Sequence, residues 1–523
     1  MPFSLADRES LDRELADFEF PATFDFGAST SGYQVEGGFN GPNEPKNNWL
    51  YEEQRGEKDR TGGASRFLEN YPDALDHAQW IGLNAFRLGI EWARLQPASD
   101  AGQTNPPPFS REAAQTYARI IAAAYERGIF PVVTLHHFTN PLWAGLDLWL
   151  DWAKVGQLFG AYVEFAVVEI NRALIDEFHK PPIPFFLTIN EPVSVPMAQY
   201  VLGEFPNTGV RGWRPAMICH ENLLMAHVLA YRAIHRLYRE RGWTRPTVSL
   251  NTWCAGIYAM DKIVADLFLA RANGASHDRA PAYLADQRER FRAHMRTIPY
   301  LRGPQSFKRA LDGFIDRQTW RHLQPRPLGR LTDLAFAGDE PQLIDVLAFD
   351  FYDPSPGNNV DFSFPRLVHV RKHPWEWHFR PRTIPRFLES YAWTAGATPL
   401  HMVEQGICHR FAEGRAWPHP DGVRRDDAIK EVMLEIVRAL RAGRNLRSYY
   451  YWSLMDNYEW GSFEPRFGLF GVDFDRDARL LPTDIAGTNA AGVLRLFARA
   501  FRARDKNLLR EAFLADACPQ FCD

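Results

Sequence analysis

Two glutamates in this sequence stand where acid–base chemistry could take place. Glu191 and Glu404 each follow a short apolar run, in the segments FFLTINEPVSV (185–195) and MVEQGI (402–407). Cleavage of a glycosidic bond needs two carboxyls, one to protonate the leaving oxygen and one on the other face of the sugar. Either glutamate taken alone is more often a solvated or ion-paired side chain. Together they form a candidate catalytic pair.

Other polar and aromatic side chains also follow short apolar runs. Arg87 could equally be a structural ion pair, His136 and His137 could be core residues or metal ligands, and Trp452 and Trp460 could be core. No HExxH or comparable ligand spacing accompanies the histidines, so we expect no metal and no cofactor. The information lies in the ordered set rather than in any one member. The set comprises Gln34, Arg87, His136, His137, Asn190, Asp350, Tyr352, Trp452, Asp456, Glu459 and Trp460.

The apolar runs themselves predict strands. Most are continuous rather than alternating, which is typical of strands that are buried on both faces in a parallel sheet. The predicted strands are Phe24–Ala28, Asn84–Ile90, Pro131–His136, Pro184–Asn190, Thr247–Trp253, Val346–Tyr352, Leu400–Gln405 and Ser448–Leu454.

Helical patterns separate several of these runs. The clearest are Arg111–Arg127, Leu158–Phe178, Ala216–Arg241 and Asp427–Ala442, three of which are followed by a glycine stop signal. Strand and helix alternating about eight times predict an α/β fold, a (β/α)8 TIM barrel. In such barrels the chemistry gathers on the loops that follow the strands, where the polar residues of the set fall.

The chain has 523 residues and no Ser/Gly-rich linker or change in composition. We therefore predict a single catalytic domain over 1–523, because α/β barrels often run long as one unit. Two connections, Arg271–Pro327 and Asp353–Trp393, are long, which predicts elaborated βα loops. The first is rich in arginine and helical in character, and the second carries Trp375 and Trp377.

Composition argues against several classes of partner. The formal charge is 60 − 64 = −4, which gives no basic footprint for nucleic acid. The sequence contains no run of 18 apolar residues, so we expect no membrane-spanning helix. Met1–Phe18 lacks the apolar core of a signal peptide. Five cysteines are few and odd in number, which favours a reducing, cytoplasmic setting over a disulfide framework. Cys518 and Cys522 favour a loose tail over a metal or redox pair.

At these residues the chain resembles glycoside hydrolase family 1, the β-glucosidase and β-galactosidase family. The resemblance runs from about residue 20 to residue 475, which leaves 476–523 as a C-terminal helix and tail. TINEP and WSLMDNYEW are specific when they occur together in this order. The segments that carry it are FDFGASTSGYQVEGG (24–38), YPDALDHAQWIGLNAFRLGIEWARLQP (71–97), VVTLHHFTNP (132–141), FFLTINEPVSV (185–195), MVEQGI (402–407) and YWSLMDNYEWGSFEPRFGLFGVDF (451–474).

The resemblance implies a role for each matching residue. Glu191 matches the family's acid/base and Glu404 its nucleophile, with Tyr352 donating a hydrogen bond to the nucleophile and Arg87 beside it. The remaining matches are expected to bind the sugar: Gln34, His137, Asn190, Glu459 and Trp460 by direct contact, Trp452 by stacking, and Phe467 as a wall of the subsite.

The chain departs from the family pattern at four places around this site. The nucleophile strand, usually TENG, reads Val403-Glu404-Gln405-Gly406, and Phe138 stands where the family has tryptophan. Asp350 and Phe351 replace an asparagine and a tyrosine. Asp350 adds a possible negative charge beside the nucleophile unless it is protonated or paired with Arg87, and such a charge would raise the pKa of neighbouring carboxyls.

The resemblance implies a retaining β-glycosidase that acts on small-molecule glycosides by double displacement. A carboxylate at Glu459 suits an unphosphorylated hexose and would repel a 6-phosphate; the phospho-β-glycosidase branch has a small residue there. We expect β-glucosides, with β-galactosides or β-fucosides as further candidates. A transglycosidase with a non-water acceptor and a carbohydrate-binding pseudoenzyme are the alternatives. The sequence leaves the aglycone and the oligomeric state open.

Overall fold

Eight parallel strands close into a barrel in the computed structural model. The structure describes residues 5–98, 100, 102–301, 303–323, 328–352, 355–361 and 369–515; Cys518 and Cys522 lie outside them. The strands are β1 (Asp25–Ser29), β2 (Ala85–Gly89), β3 (Phe130–Thr134), β4 (Phe185–Asn190), β5 (Thr247–Trp253), β6 (Leu347–Asp350), β7 (Leu400–Gln405) and β8 (Leu446–Trp452). Each strand pairs with its neighbours in sequence, and β8 pairs with β1.

All eight predicted strands are therefore confirmed, and the predicted TIM barrel with them. The largest boundary errors are of two residues: β3 ends early at Thr134, β6 ends early at Asp350, and β8 begins and ends earlier than expected. After β6 the Phe351 amide still donates to the Glu404 carbonyl, and the chain bends at Tyr352. Leu446 joins β8 because it pairs with Leu400 and is fully buried.

Helices surround the barrel and connect its strands. Ser110 caps α6 by accepting a hydrogen bond from the Ala113 amide at 3.1 Å. The α-helices are α1 (Leu5–Ala16), α2 (Gly32–Glu36), α3 (Leu50–Arg55), α4 (Phe67–Ile81), α5 (Trp92–Leu95), α6 (Arg111–Glu126), α7 (Trp152–Asp176), α8 (Ser194–Pro196), α9 (Trp213–Glu240), α10 (Lys262–Phe268), α11 (Ala280–Met295), α12 (Gln305–His322), α13 (Gly329–Phe336), α14 (Ile384–Ala395), α15 (Arg425–Arg441), α16 (Ala490–Ala503) and α17 (Lys506–Leu514).

Short elements decorate the loops at the mouth. A π-helical turn, Met197–Leu202, follows α8 on the loop after β4. His409–Ala412 pairs with Arg415–Trp417 and Pro465–Arg466, Val360–Asp361 with His369–Val370, and Val472–Asp473 with Arg479–Leu480. The predicted long connection 271–327 carries α11 and α12, and α14 lies at the end of 353–393.

Two apolar layers hold the barrel. Its interior is filled by side chains from alternate positions of the strands, and a larger core lies between the sheet and the helices. The interior cluster is Ala85, Val132, Phe185, Leu187, Val346, Ala348, Val403 and Tyr450. Because this packing fixes the strands, the side chains at their carboxyl ends are held rigidly.

The single-domain assignment for 1–523 stays a prediction. Within the described part of the chain, no helix is both long enough and apolar enough to span a membrane. Cys219, Cys254 and Cys408 are buried free thiols.

The fold makes a prediction at Gly406, directly after β7. A methyl group there would overlap the Trp452 carbonyl oxygen and touch the Phe467 ring. We expect Gly406→Ala to lower the free energy of unfolding by about 1–3 kcal/mol, because overpacking displaces the end of β8. Gly160→Ala in α7 is the control, because no atom lies within 4 Å of the added carbon. Equal denaturant midpoints for the two variants would contradict this account of the packing.

Candidate active site

Arg87 and Glu404 form a buried ion pair at the centre of the barrel mouth. Arg87 Nη1 donates to Glu404 Oε1 at 2.5 Å, and the two side chains are 0% and 5% exposed. Tyr352 OH donates to Glu404 Oε2 at 3.0 Å. Burial raises the pKa of Glu404, and the Arg87 charge and these hydrogen bonds oppose the rise. Both oxygens of Glu404 are therefore held by donors that favour its ionised form.

Glu191 lies across the mouth in a different environment. It directly follows β4, and its Oε2 accepts a hydrogen bond from Ser194 Oγ at 2.6 Å. Burial raises the pKa of Glu191 to about 8, and the negative charge of Glu404 contributes next. Burial, rather than the neighbouring charge, is therefore the main reason that Glu191 holds a proton.

Asparagines from β4 and β5 complete the network around Arg87. Arg87 Nη2 donates to Asn190 Oδ1 at 2.6 Å, and Arg87 Nε donates to Thr134 Oγ1 at 2.9 Å. Asn251 Nδ2 also donates to Asn190 Oδ1, at 2.6 Å. The amide nitrogen of Asn190 lies 3.3 Å from His137 Nε2. These contacts fix which way the Asn190 amide points.

Glu459 contacts a second group of the predicted site residues. Gln34 Nε2 donates to Glu459 Oε2 at 2.9 Å and to Asn457 Oδ1 at 3.1 Å. A side-chain hydrogen bond also joins Glu459 to Trp452. Burial raises the pKa of Glu459 to about 8, with Glu404 adding to the rise. Fixed amide, indole and carboxyl groups of this kind suit the hydroxyl groups of a neutral sugar.

The aromatic rings of the predicted site pack against one another. The His137 ring stacks on Trp452 and on Trp460, with centroid distances of 5.7 Å in both cases. Phe467 packs with Trp452 and Cys408, and its centroid is 6.1 Å from that of Tyr352. Such rings offer faces on which the C–H groups of a sugar can stack. The eleven predicted site residues thus lie together at one end of the barrel.

Three of the mouth residues have strained backbones. Glu191, Phe138 and Trp460 have φ angles of 39°, 68° and 44°, in the left-handed region that non-glycine residues avoid. Each such conformation costs about 1–3 kcal/mol and clusters at functional sites. The surrounding packing therefore holds these side chains in orientations that their backbones would not adopt freely.

The four departures from the family pattern are accommodated differently. Phe138 packs on Trp460 with a centroid distance of 4.9 Å, and Phe351 packs on Phe387 in the core. Gln405 accepts a hydrogen bond from Tyr449 OH at 2.9 Å. Asp350 lies beside both glutamates and accepts a hydrogen bond from Asn251 Nδ2.

Sequence reasoning missed several residues that organise the site. Ser194, Asn251, Thr134 and Asn457 each bond directly to a predicted site residue. Ser194 was visible three positions after Glu191, at the spacing of one helical turn. Asn251 lies inside a strand that read as plain core, so only the register of β4 against β5, which pairs Asn190 with Asn251, reveals it.

The carboxyl geometry also bears on metal binding. Oxygen atoms of Glu191, Asp350 and Glu404 all lie within 4.8 Å of one another. The Arg87 guanidinium already occupies one side of Glu404, which weakens the case for a second cation there. The predicted absence of a metal remains a prediction.

Two glutamates brought together at the mouth of a closed (β/α)8 barrel are the pair of carboxyls that cleavage of a glycosidic bond needs. The sequence model of glycosyl hydrolase family 1 matches residues 16–271 and 353–482. The chain therefore belongs to glycosyl hydrolase family 1, as the resemblance implied, and is a glycoside hydrolase.

Individual relatives are distant. A 6-phospho-beta-galactosidase of Staphylococcus aureus strain JH9 is 24% identical over 497 residues, covering 88% of this chain and 95% of the relative. Among solved structures, a beta-glycosidase from Pyrococcus horikoshii is 24% identical with a TM-score of 0.64, covering 95% of this chain and 99% of that one. A beta-glucosidase from Thermotoga maritima is 18% identical with a TM-score of 0.65, at 92% and 98% coverage. At these identities the structural likeness supports the fold alone.

Removal of the Arg87 charge provides a test of the site. Arg87→Met should lower kcat/KM by about 100-fold or more, because a donor to a buried charged group is lost. Without the guanidinium the pKa of Glu404 rises, so the acidic limb of kcat/KM against pH should move to higher pH. Tyr352→Phe, which removes a hydrogen bond without removing a charge, should move it less. If the acidic limb of kcat/KM stayed at the same pH in Arg87→Met, the assigned effect of Arg87 on the pKa of Glu404 would be contradicted.

Proposed function

We propose that this protein is a retaining β-glycosidase that hydrolyses unphosphorylated β-D-glycosides, β-glucosides first among them. The observation that carries the proposal is the opposition of Glu191 and Glu404. Their oxygens lie within 4.8 Å of each other, and of these two glutamates only Glu404 forms an ion pair with Arg87 in the described structure. Retaining enzymes have carboxyls about 5–5.5 Å apart, whereas inverting enzymes leave about 6.5–9.5 Å for a water.

The first half-reaction uses the difference between the two glutamates. Glu404, ionised by Arg87 and oriented by Tyr352, attacks the anomeric carbon of the sugar. Glu191, which burial keeps protonated below about pH 8, transfers its proton to the leaving oxygen. The products are a covalent glycosyl-enzyme on Glu404 and a free aglycone.

The second half-reaction reverses the role of Glu191. Once Glu404 is esterified, its negative charge no longer raises the pKa of Glu191. Glu191 is then a carboxylate that removes a proton from water; the resulting hydroxide bonds to the anomeric carbon as the ester bond to Glu404 breaks, which releases the sugar and restores the Glu404 carboxylate. Ser194 donates to Glu191 throughout and keeps the carboxyl directed at the site.

The environment of Glu459 favours an unphosphorylated sugar. Gln34, Asn457 and Trp452, which contact it or its partners, are neutral. A phosphate dianion placed among them would be buried beside a carboxyl without a cation in contact, which is costly. Neutral hydroxyls, by contrast, can bond to every one of these groups.

A phosphorylated substrate is the second candidate, and one observation favours it. The Lys58 side chain lies directly on Gly461, two residues after Glu459. The Staphylococcus aureus relative is a 6-phospho-beta-galactosidase. If the Lys58 ammonium reached the outer hydroxyl of the sugar, it would supply the cation that a phosphate needs.

A pair of substrates separates these candidates. At pH 9, where Glu459 is a carboxylate, we expect kcat/KM for an aryl β-D-glucoside to exceed that for its 6-phosphate by about 100-fold or more, because like charges in a closed site cost several kcal/mol. The ratio of kcat/KM for the glucoside to that for the 6-phosphate should grow between pH 7 and pH 9, because Glu459 ionises about pH 8. Ionisation of Glu191 slows both substrates alike, so it does not change this ratio.

Two variants serve as controls. Glu459→Ser should lower the ratio of kcat/KM for the glucoside to that for the 6-phosphate, and Lys58→Met should leave this ratio unchanged. A preference for the phosphate that Lys58→Met abolishes would replace the proposal with the second candidate. Binding without turnover would indicate a carbohydrate-binding protein, and transfer to an alcohol acceptor in place of water would indicate a transglycosidase.

A further inference from the structure

Asp350 is a third carboxyl in contact with the two glutamates. It is the last residue of β6, where it pairs in register with Glu404 of β7, and its side chain is fully buried. Oxygen atoms of Asp350, Glu191 and Glu404 lie within 4.8 Å of one another. Packing does not require a carboxyl at this position, and a buried carboxylate without a charge partner is costly.

The hydrogen bonds of Asp350 show how it is accommodated. Asn251 Nδ2 donates to Asp350 Oδ2. Asp350 Oδ1 is buried and receives no hydrogen bond from any donor in the described residues. Burial and the charge of Glu404 raise the pKa of Glu191, whereas Asp350 lowers it through a side-chain hydrogen bond. Because neither group in ionised form has a hydrogen to donate, a bond between two carboxyls requires a proton on one of them.

The surrounding charges indicate which carboxyl keeps that proton. Arg87 donates to Glu404 and to Asn190, whereas its link to Asp350 runs through Asn251. Burial raises the pKa of Asp350 far above its usual range, and Glu404 and Glu191 add to the rise.

The remaining titratable groups around Asp350 supply no positive charge. Burial raises the pKa values of Tyr352 and Cys254 well above their usual ranges, so both are neutral. Burial and Arg87 lower the pKa of His137 well below its usual range, so its ring is neutral too. One guanidinium is thus in contact with a cluster of three carboxyls, and only Glu404 bonds to it directly.

We propose that Asp350 is a positioning residue that remains a neutral carboxylic acid through the reaction and donates a hydrogen bond to Glu191. This inference rests on the proposed function of Glu191 as acid and base. The bond is strongest when Glu191 is a carboxylate, which is its state in the glycosyl-enzyme. Asp350 therefore stabilises the base form that activates water.

The proton balance of the reaction is unchanged by Asp350. In the first half-reaction the proton of Glu191 moves to the leaving oxygen, while Asp350 keeps its own. In the second, Glu191 takes a proton from water as the hydroxide bonds to the anomeric carbon and the ester to Glu404 breaks. Asp350 ends the cycle as it began, protonated and bonded to Glu191.

The pH dependence of Asp350→Asn tests the charge state. An asparagine keeps a neutral donor at the same place, so we expect both limbs of kcat/KM against pH to stay within about half a pH unit, and kcat to stay within about threefold. If Asp350 were ionised in the active enzyme, its replacement would lower the pKa of both glutamates. Both limbs would then move down by about one unit or more, which would overturn the proposal.

Asp350→Ala separates the hydrogen bond from the charge. Loss of the donor should raise the pKa of Glu191, move the alkaline limb to higher pH and lower kcat by about tenfold or more, because the base form is no longer stabilised. If the alkaline limb of kcat/KM lay at the same pH in Asp350→Ala and Asp350→Asn, a hydrogen-bonding role for Asp350 would be contradicted. Asp25→Asn, at the opposite end of the barrel in β1, is the matched control and should leave both limbs in place.

A measurement that needs no turnover keeps this test separate from that of the proposed function. Infrared difference spectra at pH 7 should contain the carbonyl stretch of a protonated buried carboxyl that disappears in Asp350→Asn. Wild-type and variant spectra that match in this region would overturn the inference, even in an active enzyme. Activation of the wild type, but not of Asp350→Asn, by Mg²⁺ or Ca²⁺ would also overturn it, because a cation would then occupy the place of the proton.

Discussion

The contact between one buried guanidinium and one of three buried carboxyls determines how this site works. Arg87 is fully buried and bonds directly to Glu404, so Glu404 is the carboxyl that ionises most readily. Glu191 and Asp350 lack that contact, and burial raises the pKa of both. The proposed nucleophile and the proposed acid are thus the same type of side chain and differ through their surroundings alone.

The barrel is what makes this difference of environment possible. Arg87 comes from β2, Glu191 from the end of β4 and Glu404 from β7, so the three meet only when the sheet closes. Close packing keeps water from the carboxyls, and the left-handed backbone of Glu191 and Trp460 is held by the same packing. The strain and the desolvation are offset by the large apolar cores inside and outside the sheet.

The sequence predicted the strands well because a parallel barrel buries both faces of each strand, which produces continuous apolar runs. Site residues were found because polar groups after such runs have no packing role. The relations between strands were not predictable. Asn251 read as core, and the hydrogen bond between Asp350 and Glu191 depends on the register and twist of separate strands. The dominant effect of burial on Glu191 likewise requires the packed structure.

The most direct test of the account is covalent trapping with an aryl 2-deoxy-2-fluoro-β-D-glucoside, whose second half-reaction is slow. Mass spectrometry of the digested protein should find one added fluoroglucosyl group on the peptide that contains Glu404. A group on a peptide containing Glu191, or substrate cleavage without any covalent adduct and with release of the α-anomer, would contradict the assignment of Glu404 as the nucleophile.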